Sequence, residues 1–380
     1  MEGQFPVLLG AGLILLLLFL AGYIGLKIRI PGVVVFILVG VVLGGILSDH
    51  KLLHIAGEVG IILLFFLLGL EFPIKRLADI AKRVLPAGML DVVLSLGVTM
   101  GIAYLFGLDW VTAFMIGGVV YATSSSITVK LLESSKRMAN PESEFMLAVL
   151  IFEDIVAPIV VTLLVALTAG NGLTGLDFIW ILIKVILLMA GAIVLGRLLF
   201  AKLGPFFERY VNQDLFILFL VGIALSYGGL ALYMELSEVL GAFLAGIMLA
   251  EARRTEVLEP LILPVRDLFL PLFFVYFGTT IALGEKIPYL GLLLILLAWS
   301  IIAKILVCVI GGRWYGLSKK VALRAGFSFT QRGEFSVIIA SLASGPFVLF
   351  SGLFILFSAL IGIVLFQFAP KITRYVYGQR

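Results

Sequence analysis

The sequence predicts an all-α polytopic membrane protein: about thirteen transmembrane helices in two inverted repeats, with broken helices that cross. Three observations carry that prediction. The chain is 62% hydrophobic and only 13% charged, with a mean hydropathy of +1.22, a balance foreign to soluble domains of this length. Apolar stretches close to the roughly 20 residues needed to cross a bilayer recur near 6–26, 31–47, 55–72, 83–106, 110–131, 142–168, 176–203, 212–232, 236–252, 260–283, 288–312, 318–344 and 345–370. Of the 27 lysines and arginines, 22 fall in alternate loops and at the C-terminus, and only Lys51 and Lys286 fall on the opposite side. The positive-inside rule then puts the C-terminus in the cytoplasm and the N-terminus outside. The basic pI of 9.1 reflects that topology and the anionic inner leaflet, not nucleic acid.

Several classes fall away. The first span carries Glu2 rather than a basic leader and has no cleavage signal before Lys27, so it reads as a span and not a signal peptide. Cys308 is the single cysteine, and His50 and His54 share one short loop; no disulfide, metal site or cofactor is expected. Short loops leave one membrane domain over 1–380 with no soluble regulatory domain. The repeats are expected at about 6–168 and 212–370, joined by a linker helix at about 176–203.

Taken in order, span 1 is leucine-rich and ends at Lys27 and Arg29, and span 2 opens at Pro31, a favoured first helical position. The segment around Gly40 in span 2 matches that around Gly246 in span 9, and Gly69 in span 3 matches Gly278 in span 10, at offsets of 206 and 209 residues. Seven crossings separate each pair, so the copies run in opposite directions. Inverted repeats with a midplane site are the architecture of secondary transporters. Span 4 carries Asp91 about two turns inside, expected at a wet rim, along a funnel, or in a structural pair with Lys304 or Arg332.

Spans 5 and 12 hold corresponding positions, and both are interrupted. Span 5 contains Thr123, Ser124, Ser125 and Ser126, and span 12 contains the run Ser328 to Ser336 with Arg332, Gly333 and Glu334. Consecutive hydroxyl residues compete with helical hydrogen bonding and suit caps. Half-helix ends at membrane depth bind ions through dipoles and free carbonyls. Span 6 opens with Asn140 and Pro141 and reaches Glu153 and Asp154, the latter ~18–20 Å along the helix, near the midplane. Lys304 in span 11 falls at similar depth. Adjacent helical residues point about 100° apart, so one carboxylate faces the cavity and the other a neighbouring helix. Asp154 is assigned to the cavity and Glu153 to Lys304, although periodicity alone also permits the converse. Arg332 is expected to offset half-helix carbonyls and nearby carboxylates, and Lys184 to snorkel. Thr123, Ser124 and Ser125 complete a cation site with Asp154; Asp91 and Glu334 are secondary candidates.

The runs Ser124-Ser125-Ser126, Arg137-Met138-Ala139-Asn140-Pro141-Glu142 and Phe152-Glu153-Asp154-Ile155 resemble the monovalent cation:proton antiporter-2 family, closest to potassium/proton antiporter membrane subunits of the Kht and Kef types. Leu240-Gly241-Ala242-Phe243-Leu244-Ala245-Gly246 and Arg332-Gly333-Glu334-Phe335-Ser336 support the likeness, which covers the whole chain. The resemblance implies a thirteen-span antiporter fold, a homodimer, and a core moving against a dimerisation scaffold. It also implies that Asp154 carries cation and proton in turn. Kef types place Gln where this chain has Glu153, so the Kht pattern fits better. Kef types also carry a cytosolic nucleotide-binding domain after the last span. Here the chain stops at Arg380, which points to a separate cytosolic regulatory subunit or to a shortened chain.

The expected function is exchange of a monovalent cation, K⁺ ahead of Na⁺, for protons across a prokaryotic cell membrane, without enzymatic chemistry. Alternatives of other classes are an ion channel or membrane sensor on the same fold, and an intramembrane aspartyl protease using Asp91 and Asp154.

Overall fold

The computed structural model describes residues 7–28, 30–47, 51–70, 84–168, 175–200, 213–234, 236–250, 255–281 and 287–378. Lys286, His50 and many of the loop cations lie outside these residues. The first repeat region holds α1 (Val7–Ile28), α2 (Gly32–Leu47), α3 (Lys51–Leu70), α4 (Val84–Leu105), α5 (Trp110–Tyr121), α6 (Ser125–Ser134) and α7 (Pro141–Thr168). After α8 (Gly175–Leu195) come α9 (Gln213–Tyr233), α10 (Glu238–Ala250), α11 (Thr255–Thr279) and α12 (Leu290–Tyr315). The chain then forms α13 (Lys319–Ser328), α14 (Glu334–Ser341) and α15 (Pro346–Tyr377). Among the described residues eight helices have the length and hydropathy to cross a membrane, and α2, α5 and α10 are shorter apolar helices. Predicted spans 5 and 12 are each two half-helices, α5 with α6 and α13 with α14.

Local chemistry explains the boundaries. Asp109 caps α5 by accepting from the N–H groups of Val111 and Thr112 at 3.0 and 3.1 Å. The Thr112 hydroxyl, with these N–H groups, holds the Asp109 carboxyl below its ordinary range. Ser318 caps α13, and Pro346 opens α15. In α4 the helix widens to a π-helical stretch at Val92–Val98, directly after Asp91; such widened turns occur often at functional sites. His54, expected in a loop, instead lies in α3, because the helix already starts at Lys51. Its Nε2 is 3.4 Å from Glu58 and its ring meets Tyr276 edge-on.

Burial is inverted relative to a soluble protein. Leu8, Phe19 and Ile186 are exposed, whereas Asp91, Glu153, Lys304 and Arg332 are buried. That is the distribution lipid demands, with apolar groups outside and polar groups satisfied within.

The helices form two sets. In one, α3 lies against α10 and α11, and α2 against α11. In the other, α4, α5 and α7 gather with α12 to α15. Small residues hold the first set together by backbone contact. A Cβ on Gly40 would fall 2.8 Å from the Gly278 Cα, and one on Gly69 3.0 Å from the Gly246 Cα. The matched glycines of the sequence therefore exchange roles: Gly40 meets the counterpart of Gly69, and Gly69 meets the counterpart of Gly40. Only a two-fold relation between repeats gives that exchange.

A methyl group at these crossings has no room. Gly69→Ala and Gly246→Ala each set a Cβ about 2.1 Å from a carbonyl oxygen, so each should lower stability by roughly 1–3 kcal/mol or more. Gly45→Ala, with nothing within 4 Å, is the control. Thermal melts of the purified variants check this; a Gly69→Ala melt matching that of Gly45→Ala would refute close packing at the crossing.

Candidate ion site at the crossed breaks

Two unwound segments cross at the centre of the second helix set. Thr123 and Arg332 form an isolated antiparallel bridge, and the Ser124 N–H donates to the Gln331 carbonyl at 3.0 Å. Thr123 and Arg332 lie 209 residues apart, the offset of Gly69 and Gly278, so the crossing joins equivalent points of the two repeats. Gly333 permits the approach: a Cβ there would fall 2.4 Å from the Ser124 side chain. The Ser336 hydroxyl donates to the Ala122 carbonyl at 3.2 Å.

Four half-helix ends meet here: the C-termini of α5 and α13 and the N-termini of α6 and α14. Partial negative charge gathers at the first pair and partial positive charge at the second. The side chains match this polarity. The Arg332 guanidinium donates to the Val120 carbonyl at 2.6 Å and to the Thr330 carbonyl at 3.3 Å. Glu334 sits in the first turn of α14 and accepts from the Ser124 hydroxyl at 2.7 Å. Asp154 faces the start of α6, accepting from the Ser125 hydroxyl at 3.5 Å.

Beside the crossing lies a buried charge cluster. Lys304 Nζ donates to both Asp91 oxygens at 2.7 Å and to Glu153 Oε1 at 2.9 Å. Asp91 also accepts from the Ser95 hydroxyl at 2.6 Å. Glu153 accepts from the Thr123 N–H at 2.5 Å and from its hydroxyl at 3.2 Å. The ammonium lies 5.6 Å from the Tyr121 ring centroid and 5.3 Å from that of Phe329, close enough for a cation–π contribution.

The predicted residues thus separate. Ser125 joins Asp154, Thr123 joins Glu153, and Ser124 joins Glu334. Asp91 is not at a rim; it is fully buried on Lys304, because α4 packs against α12 at this level. Arg332 serves carbonyls, and no ion pair to it occurs among the described residues. Among the described residues, four buried polar atoms near the breaks have no hydrogen-bond partner: Tyr121 Oη, Thr330 Oγ1, Gln331 Oε1 and Arg332 Nη2. Such groups suit water or an ion.

Sequence reasoning missed Ser95, one helical turn beyond Asp91, and the Gln331 amide, which donates to Thr128 Oγ1 at 2.5 Å. It also missed a second buried cluster at the start of α7. There Glu142 accepts from Arg137 at 3.1 Å and from Arg324 at 2.5 Å, and Arg137 reaches the Ser328 hydroxyl at 2.9 Å. Burial pulls the Arg137 guanidinium below its ordinary value, against the opposing pull of Glu142. A buried-side glutamate at a helix N-terminus hints at it; the partner 182 residues away does not show in the sequence.

The three-way cluster makes the charge variants unequal. Lys304→Gln leaves Asp91 and Glu153 facing each other without a cation, which should cost about 3–5 kcal/mol. Glu153→Gln leaves Lys304 on Asp91 and should cost much less. The double variant should recover little, since Asp91 stays orphaned. Melting temperatures of the two singles and the double give the answer, and equal losses for the singles would contradict this arrangement.

Comparison with known proteins agrees with the geometry. Residues 14–373 match the family described as "Sodium/hydrogen exchanger, transmembrane". The ammonium/H⁺ antiporter subunit AmhT of Alkalihalophilus pseudofirmus is 64% identical over 375 residues, covering 99% of this chain and 96% of that protein. The K⁺/H⁺ antiporter subunit KhtU of Bacillus subtilis is 27% identical, over 96% of this chain and 92% of that protein. The structure of the sodium proton antiporter MjNhaP1 from Methanocaldococcus jannaschii superposes with a TM-score of 0.69 at 20% identity, covering 97% of this chain and 98% of that one, so the fold is shared. This chain therefore belongs to the sodium/hydrogen exchanger family, and it is a multi-pass monovalent cation:proton antiporter.

Proposed function

We propose that the transported cation is ammonium, with potassium as the second ion of similar size, and that Asp154 binds cation and proton alternately. The observation that carries the site is the Asp154 carboxylate beside Ser125 at the crossing of two broken helices. A hard monovalent cation there can replace hydration oxygens with carboxylate, hydroxyl and backbone oxygens. Protonation of Asp154 removes the charge that holds the cation, so proton and cation compete. The ion assignment takes its support from the ammonium/H⁺ and K⁺/H⁺ relatives, and it broadens the potassium reading of the sequence. Asp91 and Asp154 engage different partners, which argues against a paired-aspartate protease.

The same reading includes a homodimer and a separate cytosolic regulatory subunit; two of the relatives are themselves named as subunits. The distribution of loop lysines and arginines supports a cytoplasmic C-terminus.

Proteoliposomes with an internal pH dye test the assignment, with protein-free liposomes subtracting passive ammonia leak. NH₄⁺ and K⁺ should drive proton exchange well ahead of Na⁺, and a sodium preference would overturn the ion assignment. Asp154→Asn should abolish exchange while inserting normally, and retained cation-driven proton flux would remove Asp154 from the role. Ser125→Ala should raise the apparent KM for the cation. In the unaltered protein that KM should also rise as pH falls through the carboxyl's titration, because protons then occupy the binding group. A KM independent of pH would argue against a shared site.

A further inference from the structure

We propose that Arg137 is a positioning residue for the ion site: through a chain of buried hydrogen bonds over Ser328, Gln331 and Thr128 it holds the peptide that carries Ser125, and so sets the affinity of the site for its cation. This rests on the reading of Asp154 as the exchanging carboxylate and adds to it a residue outside the crossing.

Charge balance does not require Arg137. The buried Glu142 carboxylate accepts from the Arg324 guanidinium at 2.5 Å and from the Asn140 amide at 3.1 Å, so it is already paired. Arg137 adds a second guanidinium at 3.1 Å and is itself only 8% exposed. A second cation on one buried carboxylate leaves surplus positive charge, which costs free energy unless other groups offset it. What Arg137 supplies instead is reach. From the loop between α6 and α7 it bonds to four helices. Its N–H donates to the Leu132 carbonyl of α6 at 2.8 Å, and its own carbonyl accepts from the Ser143 hydroxyl of α7 at 2.6 Å. The guanidinium donates to the Ser328 hydroxyl of α13 at 2.9 Å and to the Phe366 carbonyl of α15 at 3.4 Å. It also lies 4.5 Å from the Phe366 ring centroid, where the ring face offsets part of the charge.

From Ser328 the bonds run on to the crossing. Ser328 ends α13, and its carbonyl accepts from the Gln331 amide at 3.2 Å. The same amide donates to the Thr128 hydroxyl at 2.5 Å, and that hydroxyl donates to the Ser124 carbonyl at 2.7 Å. A hydroxyl has one hydrogen. Thr128 gives its own to Ser124, so it can only accept from Gln331, and this fixes which way the amide points. The ring closes where the Ser124 N–H donates to the Gln331 carbonyl at 3.0 Å. Ser124 is thus held at both its N–H and its carbonyl, and the peptide that joins it to Ser125 is held with it. Thr128, Ser328 and Gln331 are all 0% exposed, so bulk water does not compete for these bonds.

A cation site binds tightly when its oxygens are in place before the ion arrives, because ordering them on binding costs affinity. The Ser125 hydroxyl, 3.5 Å from Asp154 Oδ1, hangs from the peptide that this chain holds. Cutting the chain at any link frees that peptide, and the loss falls on cation binding more than on the movement that follows. Gly362 lets α15 back the chain closely: a Cβ there would fall 2.7 Å from the Gln331 Cα.

Cation affinity read apart from stability tests the proposal. Proteoliposomes with an internal pH dye and K⁺ as the driving ion give KM and turnover. The rise of the purified protein's melting temperature with K⁺ concentration gives Kd. Arg137→Gln leaves Glu142 on Arg324 and so orphans no carboxylate. It, Ser328→Ala and Thr128→Val should each raise KM and Kd for K⁺ by about two- to tenfold, the range of one buried hydrogen bond, with turnover changed less. Thr128→Ser, which keeps the hydroxyl, should restore both constants. Arg137→Gln combined with Thr128→Val should raise KM no further than the larger single change, because both cut one chain. Lower melting temperatures with KM and Kd unmoved would make Arg137 a merely structural residue and overturn the proposal. So would single effects that multiply in the double variant. If Arg137→Gln fails to fold, Ser328→Ala decides: it removes only the hydroxyl that Arg137 reaches, and native K⁺ constants there overturn the proposal too. Asp154→Asn is measured beside them. Should it still exchange, the reading of Asp154 fails instead; if exchange needs Asp154 and the variants leave KM and Kd unmoved, only the role of Arg137 fails.

Discussion

An ion cannot be buried in a low-dielectric interior without a counter-ion or a full set of hydrogen bonds, and that constraint organises this protein. The cost of leaving one charge orphaned, about 3–5 kcal/mol, is a large part of a domain's net stability of roughly 5–15 kcal/mol. Lys304 meets the constraint with three charge-assisted bonds. To supply them, α4, α7 and α12 must converge at one depth and hold that register. The cluster therefore acts as a structural pin for the set of helices that carries the ion site.

The crossing depends on that pin. Glu153 is bonded to Lys304 on one side and to the Thr123 N–H on the other, so the unwound strand of the first repeat is tied to the buried lysine. Thr123 in turn bridges to Arg332, which accounts for carbonyls of both broken spans. A chain of bonds thus runs from Asp91 through Lys304, Glu153 and Thr123 to Arg332, joining both repeats. The other helix set is held by a different means, glycine-to-glycine backbone contact of α2 with α11 and α3 with α10. Packing without side chains brings those backbones into direct contact.

Much of this was legible in the sequence. Hydropathy and loop charge placed the helices to within a few residues, because lipid leaves few alternatives to a long apolar helix. The hydroxyl runs at 123–126 and the Gly333 region marked the breaks, since those residues favour non-helical backbone. Opposite charge and shared depth named Glu153 and Lys304 together. Asp91 was harder to read. Counting turns from the end of α4 suggests a rim, but burial depends on which helices lie alongside, and one sequence does not contain that. The Thr123 N–H on Glu153 was invisible for a related reason: a backbone donor is freed only by the break's own geometry. The hydroxyls at 123, 124 and 125 look alike in the sequence, yet an extended strand turns successive side chains to opposite faces, and each reaches a different carboxylate.

Under the proposed role of Asp154, that division of carboxylates lets one small region be both rigid and exchangeable. A carboxylate bonded to an ammonium, such as Asp91 or Glu153, cannot lose that partner without creating two orphan charges. The hydroxyl of Ser125 on Asp154 is different. A neutral hydroxyl can give way to a cation, or accept a rotated proton, without leaving any buried charge uncompensated. The half-helix N-terminus behind it presents free backbone N–H groups at the crossing. Under the proposed role of Asp154, that lets proton and cation replace one another at a single carboxylate while the neighbouring charge cluster stays intact.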